Sequence, residues 1–270
     1  MHEATGIGLA DVRQVYSGSE GDLWELLMGH QIHVGGLQSS LDLAERAGVG
    51  AGQHGVDLCC CNGAGMRMLV RFRDVASMIG VDATPEVVER GRARCHEEGM
   101  DARIRFVVGD ATASGLPAAS ADFVWGEDAW CYVEDKPRLV AEAARIVRPG
   151  GVIAFTDWVE GPAGLAPAEA ERFLRFMKFP NVENLAGYRR LLTEAGCQVV
   201  EAEDTGRFAP YLELYRQMAE MQLTYDALRI LAFDMQAMAA IAAEMRFMID
   251  LAHAGKLAQG RFLARKRADA

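Results

Sequence analysis

Five carboxylates stand where short apolar runs end: Asp82, Asp110, Glu127, Asp128 and Asp157. Groups of this kind accept hydrogen bonds from sugar hydroxyls and amines, or balance a cation. A second feature lies upstream, in Val56-Asp57-Leu58-Cys59-Cys60-Cys61-Asn62-Gly63-Ala64-Gly65. There an apolar run ends in a turn of small residues, and Met66-Arg-Met-Leu-Val-Arg-Phe-Arg follows as a helix. Strand, tight turn and helix N-terminus together form a cradle whose backbone N–H groups face a polar ligand. Asp82 ends the next apolar run, Val75 to Asp82, where an acid is placed to accept bonds from ribose hydroxyls. The plain alternative is a strand-to-helix corner with no ligand.

These residues need a scaffold that brings strand ends together. Thr84-Pro85-Glu86 marks a helix start, with a hydroxyl, a proline at the first position and an acid on the positive dipole end. That helix runs to about Glu98 and stops at Gly99. Arg103 to Val108 predicts a third strand and Asp122 to Trp125 a fourth. A helix at about 135–147 and the turn Arg148-Pro-Gly-Gly151 lead to a fifth strand, Val152 to Thr156. Strands alternating with helices at this spacing predict a parallel, doubly wound α/β sheet, in which ligands bind beyond the carboxyl ends of the strands. Asn184 to Ala195 reads as a helix, Cys197 to Glu203 as a sixth strand, and 209–255 as an almost unbroken helical insert rich in methionine. Arg261 to Arg265 reads as a final strand. Upstream, residues 1–20 read as loosely structured, Asp22 to Met28 as a short helix, and Ser40 as the cap of a helix through Ala47.

The chain has 270 residues, half of them apolar, which is enough for one large α/β core with additions. A formal charge of −10 argues against nucleic acid and anionic membranes as partners. No apolar run approaches the ~20 residues of a membrane span, and Met1-His-Glu-Ala-Thr does not read as a signal peptide. The six cysteines lack paired metal spacing, and three are consecutive on one strand, so their side chains alternate between faces. They read as reduced, buried residues of a cytoplasmic protein, with no metal site.

In order along the chain, Asp57-Leu-Cys-Cys-Cys-Asn-Gly, Asp82, Val108-Gly-Asp110-Ala, Asp122-Phe-Val-Trp and Arg148-Pro-Gly-Gly resemble the class I S-adenosylmethionine-dependent methyltransferases. The resemblance covers about residues 55–160. Tyr16, Ile32-His33-Val34-Gly35 and Trp125-Gly-Glu-Asp-Ala-Trp130 are similar to a narrower group of sarcosine/dimethylglycine N-methyltransferases and small-molecule O- and C-methyltransferases. The resemblance implies a Rossmann-like sheet of seven strands, the last antiparallel, with a helical insert before it. It implies S-adenosyl-L-methionine as cofactor. Asp57, Cys59, Cys61 and Gly63 would hold its methionine part, Asp82 and Ala83 the ribose, and Asp110 and Ala111 the adenine. Gly126, Glu127 and the residues through Ala129 would lie beneath the sulfonium. Two departures stand out. Cys59 and Cys61 replace glycines, which crowds the backbone approach, and Tyr132 stands where the narrower group often carries histidine.

Methyl transfer requires the acceptor to be aligned with the C–S bond and water to be excluded, and an amine or phenol must lose a proton. Tyr132, His33 and Asp128 are the catalytic candidates; a loop histidine bonded to backbone and a packed tyrosine are the plainer readings. Trp125, Trp130 and Trp158, mixed with Glu127, Asp128, Asp157 and Glu160, suit an anionic, aromatic pocket for an amine through cation–π contact; packing beneath the insert is the alternative. Tyr16, Trp130, Asp157 and Trp158 are therefore the expected substrate contacts. The expected organisation is a helical cap at 1–50, a core at 51–208 and 259–270, and a helical lid at 209–258. The expected function is methylation of a small molecule, first on the nitrogen of an amine or amino acid. The alternatives are O- or C-methylation in a secondary-metabolite pathway, or an inactive cofactor-binding subunit. A monomer or homodimer with a small-molecule substrate completes the expectation.

Overall fold

The computed structural model describes residues 2–3 and 6–268. The first elements are β1 (His2–Glu3), α1 (Leu9–Ser17), α2 (Ser19–Met28) and α3 (Gly36–Ala47). Strands and helices then alternate through β2 (His54–Leu58), α4 (Ala64–Arg73), β3 (Ser77–Asp82), α5 (Pro85–Glu97) and β4 (Ile104–Val108). β5 (Ala121–Glu127), a single 3-10 turn at Trp130–Tyr132, α6 (Lys136–Ile146) and β6 (Val147–Glu160) follow. The remainder comprises α7 (Pro167–Met177), β7 (Asn181–Val182), α8 (Leu185–Glu194), β8 (Cys197–Asp204), α9 (Phe208–Glu220), α10 (Thr224–Ile230), α11 (Met235–His253) and β9 (Leu257–Lys266).

Seven strands form one sheet in the order β4-β3-β2-β5-β6-β9-β8. The pairs from β4 to β6 are parallel, and β9 runs antiparallel to both β6 and β8. This is the doubly wound sheet with an antiparallel last strand that the resemblance implies. Because β2 lies between β3 and β5, the ends of β4, β3, β2 and β5 form one continuous edge. The residues following those strands therefore stand side by side.

Apolar clusters hold both faces of the sheet. Val56, Leu58 and Val124 pack with Leu139, Ala143 and Leu192 of α6 and α8, whereas Phe123 and Trp125 pack with Leu43, Met66 and Leu69 of α3 and α4. Alternate residues of β5 thus enter opposite cores, as a strand covered on both faces requires. A third cluster joins Leu23, Trp24 and Leu27 of α2 to Leu212 of α9 and Met245 and Met248 of α11.

The N-terminal segment differs from the loose chain expected at 1–20. α1 and α2 are separated only by Gly18, which serves as the C-cap of one and the N-cap of the other. Ser17-Gly18-Ser19 reads as a turn in sequence, yet it interrupts the helical path for a single residue. α3 begins four residues before Ser40, whose hydroxyl is used within the fold instead, against His33 Nε2 at 3.0 Å. The region 209–255 is three helices, broken at Met221–Leu223 and at Leu231–Asp234, where Ala232 and Phe233 take left-handed backbone angles. α7, with Pro167 at its start and the Glu169 carboxylate accepting from Ala166 N, adds a helix absent from the sequence reading.

Candidate active site

A cavity of about 300 Å³ opens beyond the carboxyl ends of β2 to β5. Its floor is the turn after β2. Cys59 (φ 66°) and Cys61 (φ 47°) both adopt the left-handed conformation that glycine takes freely. The cysteines thus do the turn-making expected of glycine, at a backbone cost on the order of 1 kcal/mol each. Asp82 helps to hold this turn: Cys61 N–H donates to its Oδ2 and Thr84 N–H to its Oδ1, both at 2.9 Å. Asn62 closes the turn, accepting from Ala64 N–H at 3.1 Å and donating to the His30 carbonyl at 3.1 Å. Gly65, at the start of α4, lies on the wall, and a Cβ there would approach Glu127 Oε2 to 2.7 Å. The absence of a side chain keeps the cradle open between the helix N-terminus and Glu127.

The wall is acidic and desolvated. Burial, with Glu127 and Asp82 nearby, pushes the Asp57 carboxyl well above its usual range. Burial also raises Asp82, against the lowering effect of the Thr84 and Cys61 N–H groups. The thiols of Cys59, Cys60 and Cys61 are raised by burial and then by Asp82, Cys61 to about 12, so they remain neutral. A bound cation would relieve this concentration of negative charge. Glu127 Oε1 is buried without a hydrogen bond, 3.3 Å from His33 Nε2. Its one neighbouring partner is the His33 imidazole, so the oxygen keeps hydrogen-bonding capacity for a ligand.

Tyr16 and Tyr132 face the cavity with ring centroids 5.3 Å apart, edge to face. Burial raises both phenols well above their ordinary value. Tyr132 is therefore a neutral hydroxyl rather than a base. Asp128 follows Glu127 at φ 50° and also borders the cavity. The Val34 N–H donates to Asp128 Oδ2 at 2.8 Å, and Gln259 Nε2 donates to both oxygens at 2.8 and 3.0 Å. Its carboxylate is thus occupied in joining the cap to β9.

Of the residues singled out in the sequence, Asp57, Cys59, Cys61, Asp82, Ala83, Asp110, Ala111, Glu127, Asp128, Tyr132 and Tyr16 share this cavity. Others lie elsewhere. Gly63 (φ 73°) starts α4 beside Phe106, and strand alternation turns Gly126 toward Trp130, which leaves no room for a Cβ. His33 is buried one layer behind Glu127. The aromatic cage does not assemble, because each tryptophan completes a core. Trp125 lies with Phe123 at 6.4 Å; Trp130 stacks on Phe155 at 3.9 Å and donates to the Leu58 carbonyl; Trp158 packs among Phe173, Phe179 and Phe208. Asp157 is fully buried, accepting from Tyr188 Oη at 2.6 Å and Cys131 N–H at 3.0 Å. The insert at 209–258 contributes no residue to the cavity wall among those described. Its apolar faces are used against α2, so it supports the cap from behind. The sequence reading did not place Leu9, Val12, Gln31 and Ile32 at the site, although all four line the cavity. The spacing of Leu9, Val12 and Tyr16 at intervals of three and four was the available signal.

Asp157 carries a testable pH effect. Burial raises its carboxyl to about 6, against an ordinary 3.8. A raised carboxyl favours the fold while protonated, so its contribution is present below about pH 4 and is lost as the pH rises through about 6. Asp157→Asn removes this titration and keeps a polar partner for Tyr188 and Cys131. Relative to the native chain, the variant should gain roughly 2–3 kcal/mol of stability between pH 4 and pH 7. Urea unfolding at both pH values measures it, and a pH-independent difference would show that Asp157 does not titrate in this window.

A methyltransferase-domain family profile matches residues 56–155, which span β2 to most of β6 and contain the acids of the cavity floor. The 27-O-demethylrifamycin SV methyltransferase of Amycolatopsis mediterranei is 34% identical over 161 residues, covering 58% of this chain and 58% of that protein. The chain spans about three fifths or less of the length of the curated relatives it matches. Among solved structures, a putative sarcosine dimethylglycine methyltransferase from Galdieria sulphuraria superposes with a TM-score of 0.74 at 24% identity, over 86% of each chain. The [4+2]-cyclase SpnF superposes with a TM-score of 0.80 at 20% identity, over 98% of each. Both likenesses are of fold. The profile match over the cradle strands, carried on a seven-stranded sheet with its last strand antiparallel, supports a class I S-adenosylmethionine-dependent methyltransferase domain over residues 56–155.

Proposed function

We propose that the protein transfers a methyl group from S-adenosyl-L-methionine to a neutral, apolar small molecule that presents a hydroxyl. The observation that carries the cofactor is the cradle itself. Gly65 leaves open the space that a Cβ would fill, Glu127 Oε1 is buried without a hydrogen bond beside His33, and the desolvated acids of the floor suit a cation. The residues present therefore fit the group. Asp57 and the Cys59–Cys61 turn would hold its methionine end, Asp82 the ribose, and Asp110 with Ala111 the adenine. When bound, the cofactor supplies an electrophilic methyl on a positively charged sulfur.

The chain's own residues would do the rest. Leu9, Val12 and Ile32 wall the cavity against water, and Tyr16 and Tyr132 offer neutral hydroxyls that orient the acceptor. The Glu127 carboxylate, backed by His33, would take the proton of the acceptor hydroxyl, to whose oxygen the bound cofactor would supply its methyl. Asp128 and His33 act as positioning residues.

A hydroxyl is favoured over the amine expected from sequence because Leu9, Val12, Ile32, Tyr16 and Tyr132 give the cavity an apolar and phenolic lining, and the tryptophans lie in the cores. The amine reading keeps support from Glu134 and Asp135, which also border the cavity and would draw an ammonium group to it. A methyl-transfer screen over phenols, aliphatic alcohols and primary and secondary amines decides between them. Turnover confined to hydroxyl acceptors is expected. Turnover confined to amines would reverse the order. Cofactor binding without turnover on any acceptor would favour a non-catalytic subunit.

A further inference from the structure

Ile32 is a β-branched residue held at φ 42°, a left-handed conformation that such side chains rarely adopt. It also lines the cavity. The chain around it is fixed on every side. His30 accepts from Asn62 Nδ2 at 3.1 Å, and Gln31 Nε2 donates to Ser40 Oγ at 2.9 Å. Downstream, Val34 N–H donates to Asp128, and Val34 O accepts from Gln259 Nε2 at 3.0 Å. Gly35 N–H donates to Tyr215 Oη of α9 at 3.1 Å. Four separate parts of the chain, the turn after β2, the end of β5, α9 and β9, thus determine one loop. A strained residue persists where its surroundings over-determine it, and it commonly serves a site. Ile32 precedes His33, which contacts Glu127 at the end of β5, and its own side chain lines the cavity.

We infer that Ile32 is the specificity-determining residue of the acceptor wall, projected inward by this anchored loop so that it limits the size of the apolar acceptor. The inference rests on the reading of the cavity as a methyl-transfer site. Its test uses a series of 4-alkylphenols, from phenol to 4-hexylphenol, with the full chain saturated in S-adenosylhomocysteine for binding and in S-adenosylmethionine for turnover. Ile32→Gly can adopt the native backbone and removes the side chain, whereas Ile32→Phe extends it. The preference for 4-hexylphenol over phenol should rise by about tenfold in the glycine variant and fall in the phenylalanine variant. S-adenosylhomocysteine affinity and thermal midpoint serve as the check on folding. Should either variant fail to fold, Ile32→Ala and Ile32→Val give the same comparison in smaller steps. An unchanged order of preference in folded variants, or no phenol binding by any form, would overturn the assignment. Binding that follows Ile32 with no methyl transferred by the native chain would retain the size limit and remove the methyl-transfer reading.

Discussion

Asp82→Ala should weaken S-adenosylhomocysteine binding by about 1–3 kcal/mol, roughly five- to 150-fold in Kd. Two effects combine. The carboxylate that would accept from the ribose is lost, and so is the acceptor for Cys61 N–H and Thr84 N–H, which hold the floor turn. Because Cys61 sits at φ 47°, a turn that has lost this restraint is free to relax away from the ligand. Asp82→Asn keeps one carbonyl oxygen and should lie between the native chain and the alanine variant. Calorimetric titration of the three forms, with thermal midpoints as a control, measures the effect. Equal affinities in folded proteins would remove Asp82 from the cofactor site.

Glu127→Gln should lower turnover at saturating substrates by about 10²–10⁴ while changing S-adenosylhomocysteine affinity far less. The substitution preserves shape, so the gap beside Gly65 is kept, but the amide cannot take the acceptor's proton. Glu127 is the suitable group because it lines the cavity with one oxygen buried and free of hydrogen bonds, and His33 lies 3.3 Å from that oxygen. The alternatives are less suited. Burial keeps Tyr132 neutral, and the Asp128 carboxylate is taken by Val34 and Gln259. The opposite pattern, with affinity lost and turnover at saturation retained, would make Glu127 a cofactor ligand with no part in proton removal.

The cradle was legible in sequence because its signals are local. An apolar run, a small-residue turn and an acid at the next strand end occur in a fixed order, and a parallel sheet brings them to one edge. The substrate side was not legible, for two reasons. The tryptophans were grouped because they follow strand ends, but neighbouring residues of a strand face opposite cores, and sequence proximity does not reveal which face meets the cavity. The cap lay in a stretch that glycines and serines disguise as loop, although Leu9, Val12 and Tyr16 have helical spacing. The exchange at Cys59 and Cys61 is a third case. The sequence suggested that the cysteines crowd the turn, whereas the fold accommodates them at left-handed angles.

The central claim is that the cavity beyond β2 to β5 binds S-adenosylmethionine. Titration of S-adenosylhomocysteine into the native chain by calorimetry tests it most directly. The account predicts saturable one-to-one binding with a Kd in the micromolar range, which Asp82→Ala weakens. Absence of binding heat across several temperatures, with no rise in thermal midpoint, would contradict it and leave the cradle as a corner of the fold.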